Sequence, residues 1–494
     1  MRTVLGTAFL CLSLGISFCQ AKDDGKKWNV LFIMSDDLNV SLGSYGHPLA
    51  QTPNIDRLAR EGVRFEHAYC QFPHCNPSRS SLLTGRRPDV IKVMGNSDNF
   101  RDAVPDTVTL PQLFRENGYF TARVGKIYHR SGEDIRNGTS GLDDSKSWEV
   151  VLNPVGRPVS PEEQARIGGA TPGRLSSTLI SWLVADGTDT EQSDGMVAEE
   201  AIKLLLQQKA DRPFFLAVGI FRPHTPYVAP RKYFDLYPPD KISAPYVPPD
   251  HMEKGPRAAF ASREEYPDYK RAEMTDPYIR QAIQAYLAST SFMDAQVGRV
   301  LDALKKSGLQ DSTIVVFLSD HGYHLGDHGL WHKRSLFEHC ARVPLIIDAP
   351  AAKGNGHPAA APVESLDIYP TLAALCGLKP PPYLDGVSLV PMLNDPNASV
   401  KAGAVTEVTH SGKFGYTIRT PRYRYTEWGR GKLGTQLYDM ENDPQEFNNL
   451  AEDPKHAGIV EAQRKLLHQV IGEEAGQSLR RLKGALEKGD GAGN

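Results

Sequence analysis

Short apolar runs recur along the chain, separated by amphipathic stretches. Residues 29–34, 120–124, 214–220, 313–318 and 343–347 are rich in Val, Ile, Phe and Leu and lack polar alternation. Strands covered on both faces read this way. Pro53–Glu61 and residues 291–306 instead place apolar residues at helical spacing. In the second, Met293, Val297, Val300, Leu301 and Leu304 share one face. Strand alternating with helix predicts an α/β domain: a large, mixed but mostly parallel sheet flanked by helices.

Residues 132–195 and 238–276 break this rhythm with Pro, Gly, Asp and Ser, and read as long excursions of the kind that build binding loops. Residues 394–398 look like a junction. Beyond them, residues 415–428 carry Tyr, Thr, Ile and Arg in near alternation, which suits antiparallel strands, and a charged helix follows from about His456. The expected organisation is a main domain over 28–393 and a smaller α+β domain over 400–485.

Composition narrows the possibilities. A chain of 494 residues, 40% hydrophobic and 23% charged, is globular and large enough for both units. Its formal net charge of −3 argues against a basic surface for nucleic acid. An anionic substrate must therefore be met by a local cluster of cations. Arg2, the apolar run 4–18 and Cys19-Gln20-Ala21 form a secretory signal peptide over 1–21, too short for a membrane span. The protein is thus expected to be exported, to a periplasm or the exterior. Lipid anchoring through Cys19 is disfavoured because bulky Phe18 stands where a small residue is wanted. The remaining Cys70, Cys75, Cys340 and Cys376 are too few for a disulfide scaffold and lack zinc-site spacing.

Candidate chemistry sits at strand ends, where open α/β sheets collect ligands. Asp36 and Asp37 follow one apolar run; Asp320 and His321 follow another. Together they would hold an oxygen-preferring cation such as Ca²⁺, Mg²⁺ or Mn²⁺, although each acid alone would serve equally as a helix cap. Cys75-Asn76-Pro77-Ser78-Arg79 suggests a helix beginning near Pro77, with the cysteine at its positive end. Arg79 would then return to the same face with a fork of donors for an oxyanion. The alternative is a buried structural cysteine.

Cys75-x-Pro77-Ser78-Arg79, continued by Leu83-Thr84-Gly85-Arg86, resembles the signature of the formylglycine-dependent sulfatases of the alkaline phosphatase-like superfamily. The resemblance extends over nearly the whole mature chain. It takes in Thr52-Pro53-Asn54-Ile55-Asp56, Val124-Gly125-Lys126-Ile127-Tyr128-His129 and Arg222-Pro223-His224-Thr225-Pro226. Further on come Ser319-Asp320-His321-Gly322, Trp331-His332-Lys333 and Tyr438-Asp439 with Asn442-Asp443-Pro444. His321, where many sulfatases carry Asn or Gln, is similar to the iduronate-2-sulfatase branch.

The resemblance implies oxidation of Cys75 to 3-oxoalanine (formylglycine) by a formylglycine-generating enzyme. It further implies Ca²⁺ held by Asp36, Asp37, Asp320, His321 and the modified Cys75. Arg79 and Lys126 would steady the hydrated aldehyde and sulfate, His129 would take its proton, and His224 and Lys333 would bind sulfate and assist the departing alcohol. The implied reaction removes sulfate from a sulfated carbohydrate, with a uronate 2-O-sulfate favoured. Two other readings stay open from residue types: a phosphate or phosphonate monoester hydrolase on the same fold, and a non-catalytic binder of sulfated glycan.

Overall fold

The computed structural model describes residues 27–208, 211–266, 268 and 274–471. The expected signal peptide at 1–21 and the end of the expected C-terminal domain, 472–485, lie outside the described residues. The apolar runs become strands of a nine-stranded sheet. They are β1 (Asn29–Asp36), β2 (Val63–Tyr69), β3 (Phe120–Gly125), β4 (Val150–Leu152), β5 (Phe214–Pro223), β6 (Thr313–Ser319) and β7 (Arg342–Asp348). The short β8 (Pro358–Ala359) and β9 (Val363–Glu364) complete it. The order is β8-β2-β7-β6-β1-β5-β3-β4, with β9 also beside β2. Every pairing is parallel except those of β7 with β2 and β6.

The central strands are buried throughout, and successive side chains enter opposite cores. Val30, Phe32 and Met34 of β1 join Phe215 and Ala217 on one face, while Leu31 and Ile33 join Leu216 and Val218 on the other. Helices α1 (Pro53–Glu61), α2 (Cys75–Thr84), α3 (Ser193–Gln207), α4 (Asp276–Lys306) and α5 (Ile368–Leu375) cover both faces. Leu82, Leu83, Ile368 and Leu372 close the first core; Ile55, Leu58, Val197, Met293, Val297 and Val300 close the second. Phe32, fully buried and stacked on Phe215 at 5.9 Å, anchors the first; truncation to Ala would cost about 3–5 kcal/mol.

Three features depart from the hydrophobic pattern. Helix α4 begins at Asp276, not Ser291, because Ile283, Tyr286 and Leu287 pack against Tyr227, Tyr233 and Tyr237 in a third apolar cluster. Strand β2 shows no apolar run: Arg64, Glu66 and His67 interrupt it, and those positions are only half-buried. Strand β4 lies inside the 132–195 excursion, which also contributes Gly168–Gly169 and Ser181–Ala185 to a small three-stranded sheet with Tyr227–Pro230.

The C-terminal region forms a four-stranded antiparallel sheet, β10 (Ala404–His410), β11 (Lys413–Arg419), β12 (Tyr423–Trp428) and β13 (Thr435–Asp439), in sequential order. Helix α6 (Ala457–Ile471) lays Leu467 and Ile459 against Val405, Ile418 and Tyr425. Buried charge ties this region to the main sheet: Arg424 pairs with Glu338, and its Nε lies 2.8 Å from Glu446. Among the described residues no helix is long and apolar enough to cross a membrane.

Candidate active site

The carboxyl ends of β1, β5, β6 and β3 converge on the first turn of α2. That helix starts at Cys75, two residues earlier than Pro77 suggested, with His74 as its extended N-cap. It ends where Gly85 turns left-handed (φ 65) and donates to Ser81 O, a conformation that strains any residue with a Cβ. A Cβ there would also lie 2.8 Å from Leu384 and 2.9 Å from Tyr369. The Thr84-Gly85 dipeptide is therefore a helix stop that fixes the far end of the cysteine helix.

Asp37 sits just past β1 with φ 61, a left-handed conformation tolerated by Asp and held by its N–H donating to Asp320 Oδ1 at 3.1 Å. Tyr286 of α4 clamps the same turn, donating to Asp37 O at 2.8 Å and accepting from Asn39 N at 3.0 Å. Asp320 Oδ2 accepts from Arg79 Nε at 2.8 Å. Arg79 also donates to the carbonyls of Lys126 and Ile127 at 2.6 and 3.0 Å, and its Nη2 lies 3.4 Å from Asp36 Oδ1. It is fully buried, so most of its fork is committed to the acids and the β3 end rather than to a ligand. Lys126 pairs with Asp36 and lies 5.1 Å above the Phe221 ring. It reaches there because Gly125, at φ 80, lets the chain pass hard against Gly219 of β5; a Cβ at Gly125 would collide with Gly219 O.

Cys75 Sγ sits at the centre of these groups. Lys333 Nζ lies 3.0 Å from it, His321 Nε2 3.4 Å and Asp36 Oδ1 3.5 Å. His224 brings a ring nitrogen within 4.8 Å of it, and His129 and His224 both act to lower the pKa of the thiol. Burial pushes the thiol up, but Lys333 and Lys126, with His129 and His224, outweigh it and hold the pKa well below the ordinary thiol value. Any oxyanion at this position meets the same field. His224 donates Nδ1–H to Thr225 O at 2.5 Å, which leaves Nε2 toward Asp37 Oδ2, 3.8 Å away. Burial pushes His129 below its ordinary value, favouring a neutral ring. The sequence-derived site residues thus all meet around Cys75, including His129 and Lys333 from separate loops.

The residues also fit a cation. Asp36, Cys75, Asp320 and His321 each bring a donor atom within 4.8 Å of the others, as do Asp36, Asp37, Cys75 and His224. Asp37 Oδ2 is buried without a hydrogen-bond partner, and Asp36 Oδ2 is buried with only the ion pair to Lys126. His321 commits Nδ1–H to Gly322 O at 2.9 Å and turns Nε2 toward Asp37 and Asp320, at 3.3 and 3.6 Å. A metal-ligating imidazole is usually oriented in this way, with its other nitrogen held by a backbone carbonyl. Burial opposes protonation of His321, yet Asp320 lifts its pKa to about 9. Metal binding would displace that proton, because both compete for one lone pair and one set of carboxylates.

Supporting residues escaped the sequence reading. Asp194 is buried at the start of α3 and accepts the N–H groups of Phe221 and Arg222 at 2.9 and 2.8 Å, fixing the β5 end that leads to His224. Phe221 stacks on His224 at 4.7 Å. Nothing in a lone Asp or Phe signals this; only their placement does.

A profile of the sulfatase family matches residues 28–378. The chain belongs to the sulfatase family. This sulfatase also matches, over residues 326–473, the profile for the C-terminal region of N-sulphoglucosamine sulphohydrolase. It is 34% identical to a sulfatase of Formosa agariphila, covering 92% of this chain and 91% of the relative. Identity to the iduronate 2-sulfatase of Mus musculus is 32%, over 92% of this chain and 96% of that one. A solved structure of a 2-O GAG sulfatase superposes with TM-score 0.72 at 25% identity, covering 92% and 94% of the two chains. The chain is therefore a sulfuric ester hydrolase, in a family that generally uses formylglycine and a divalent metal.

Proposed function

We propose that this sulfatase removes the 2-O-sulfate of a uronate in a heparan- or dermatan-type glycan, using Cys75 as formylglycine and Ca²⁺ held by Asp36, Asp37, Asp320, His321 and residue 75. The observation that carries the catalytic part is the convergence of Lys126, Lys333, His129 and His224 on Cys75, opposite the buried acids. The similarity to an iduronate 2-sulfatase and a 2-O GAG sulfatase supports the sugar and the position. Export by the leader at 1–21, maturation by a formylglycine-generating enzyme and division into units 28–393 and 400–485 belong to the same reading.

Calcium would add positive charge among the carboxylates. The hydrated aldehyde would supply a hydroxyl nucleophile and a second hydroxyl whose deprotonation releases sulfate without water attacking sulfur. The chain's own groups do the rest. Lys126 and Lys333 neutralise charge building on the sulfate oxygens, in a pocket where water is largely excluded. His129, with Nδ1 buried and unpartnered, accepts the hydroxyl proton. His224 presents Nε2 to the leaving alcohol because Thr225 holds its other nitrogen. Arg79 keeps Asp36 and Asp320 in place, which adjusts the expected oxyanion role: most of its donors are already used.

A panel of defined sulfated di- and oligosaccharides tests the substrate, with aryl sulfate and aryl phosphate run in parallel. Uronate 2-O-sulfate should be cleaved fastest, and aryl sulfate well ahead of aryl phosphate. Preference for a 6-O- or N-sulfate would overturn the sugar assignment. Mass measurement of the peptide bearing residue 75 should show sulfur replaced by oxygen.

A further inference from the structure

A second group of metal-type side chains lies outside the acid cluster around Cys75. His324, Asp327 and His339 each bring a donor atom within 4.8 Å of the others. We infer that these residues form a transition-metal site, selective for Zn²⁺, that braces the segment delivering Lys333 to the active site. Two imidazoles and one carboxylate are a borderline-soft set that suits Zn²⁺ rather than Ca²⁺, and three protein ligands leave a fourth position for solvent.

The geometry supports this ligand by ligand. His339 Nε2 lies 3.4 Å from Asp327 Oδ1, close to the roughly 3.3–3.4 Å edge of a tetrahedron with Zn–ligand bonds of about 2.0–2.1 Å. His324 is fully buried, and its Nε2 is paired with Ser335 Oγ at 2.7 Å. Its Nδ1 is left buried with no hydrogen-bond partner, as in a ring that one neighbour orients so that its other nitrogen can bind a metal. Asp327 fixes its other oxygen on Leu325 N at 3.1 Å. Asp327 and His339 are 20% and 25% exposed, which gives an ion an entry path.

The location gives the site a purpose. His324–Leu325 pairs with Trp331–His332 in a short hairpin whose turn carries Asp327, and Lys333 follows directly. His339 comes from the short helix Glu338–Ala341 on the far side of Lys333. A metal bridging the three would tie both flanks of the Lys333 segment together without touching substrate.

The test uses untagged protein, stripped with EDTA and saturated with Ca²⁺, then titrated with Zn²⁺; Co²⁺ serves as a spectroscopic probe. The parent should bind one Zn²⁺, and Co²⁺ should show tetrahedral d–d absorption. His339→Gln and Asp327→Asn, chosen because both side chains reach solvent, should weaken Zn²⁺ binding by roughly 100-fold or more, exceeding the loss typical of a residue that only supports a ligand. Asp36→Asn, in the other cluster, should leave it intact. The inference fails if the parent takes up no Zn²⁺ over Ca²⁺, if both variants bind it like the parent, or if Asp36→Asn abolishes the signal.

Discussion

Lys333 donates to Asp37 Oδ1 at 2.6 Å while its Nζ lies 3.0 Å from Cys75 Sγ. One ammonium therefore joins an acid of the cation cluster to the reacting position. It is 6% exposed, and neighbouring Asp37 and Cys75 overcome burial to hold it charged. Lys333→Ala should lower kcat on an aryl sulfate by about 10²–10³-fold, the usual loss for one preorganised oxyanion donor. Steady-state kinetics check this; kcat within twofold of the parent would remove Lys333 from the chemistry.

The proposed oxidation of Cys75 makes a distinct prediction. Cys75→Ala should abolish turnover. Cys75→Ser keeps one hydroxyl but lacks the second that releases sulfate, so it should at best accumulate a sulfated residue 75, read by intact-protein mass. Multiple turnover by Cys75→Ser at the parent rate would contradict the mechanism.

Calcium should stabilise the fold through the buried carboxylates of Asp36 and Asp37. A ligand at 100 times its Kd adds about 2.7 kcal/mol. Dialysis against EGTA should lower the melting temperature, and added Ca²⁺ should restore it. In Asp36→Asn that response should shrink or vanish, as followed by differential scanning fluorimetry.

Tyr286 reaches from α4 to the Asp37 turn with its hydroxyl. Tyr286→Phe leaves a buried N–H and C=O short of a partner, at a cost of about 1–3 kcal/mol in urea unfolding. Because it holds the turn that carries Asp37, a proposed Ca²⁺ ligand, its loss should also weaken Ca²⁺ affinity by about 10–100-fold. Unchanged affinity would limit Tyr286 to packing.

Acid stability should depend on Glu364. Burial raises its pKa, but Arg87 and Lys401 overcome that and hold the group near 2, below its ordinary 4.5. A depressed folded pKa means the stabilisation is present above pH 4.5 and is lost as pH falls toward 2. Its size is on the order of 3 kcal/mol. Glu364→Gln should be less stable at pH 7 and should show a flatter pH dependence between those limits in chemical denaturation.

The buried runs of β1, β3, β5, β6 and β7 were legible in the sequence because a strand covered on both faces must be apolar throughout. Pro53–Glu61 was legible because its apolar residues repeat at helical spacing. The Cys75 motif and the acid pairs named the chemistry, since few residue types can serve it. Position was another matter. Val63–Tyr69 is a sheet strand despite Arg64, Glu66 and His67, because pairing with β7 and β9 rather than a local pattern selects it. The chain order says nothing of Lys126, His224 and Lys333 meeting at Cys75; parallel strands ending at one sheet edge bring Lys126 and His224 there, and the hairpin after β6 brings Lys333. The use of Arg79's fork on Asp320 and two carbonyls, and the gathering of His324, Asp327 and His339, were likewise decided only in three dimensions. A residue type fixes what a side chain can do, but burial and neighbours fix which of those things it does.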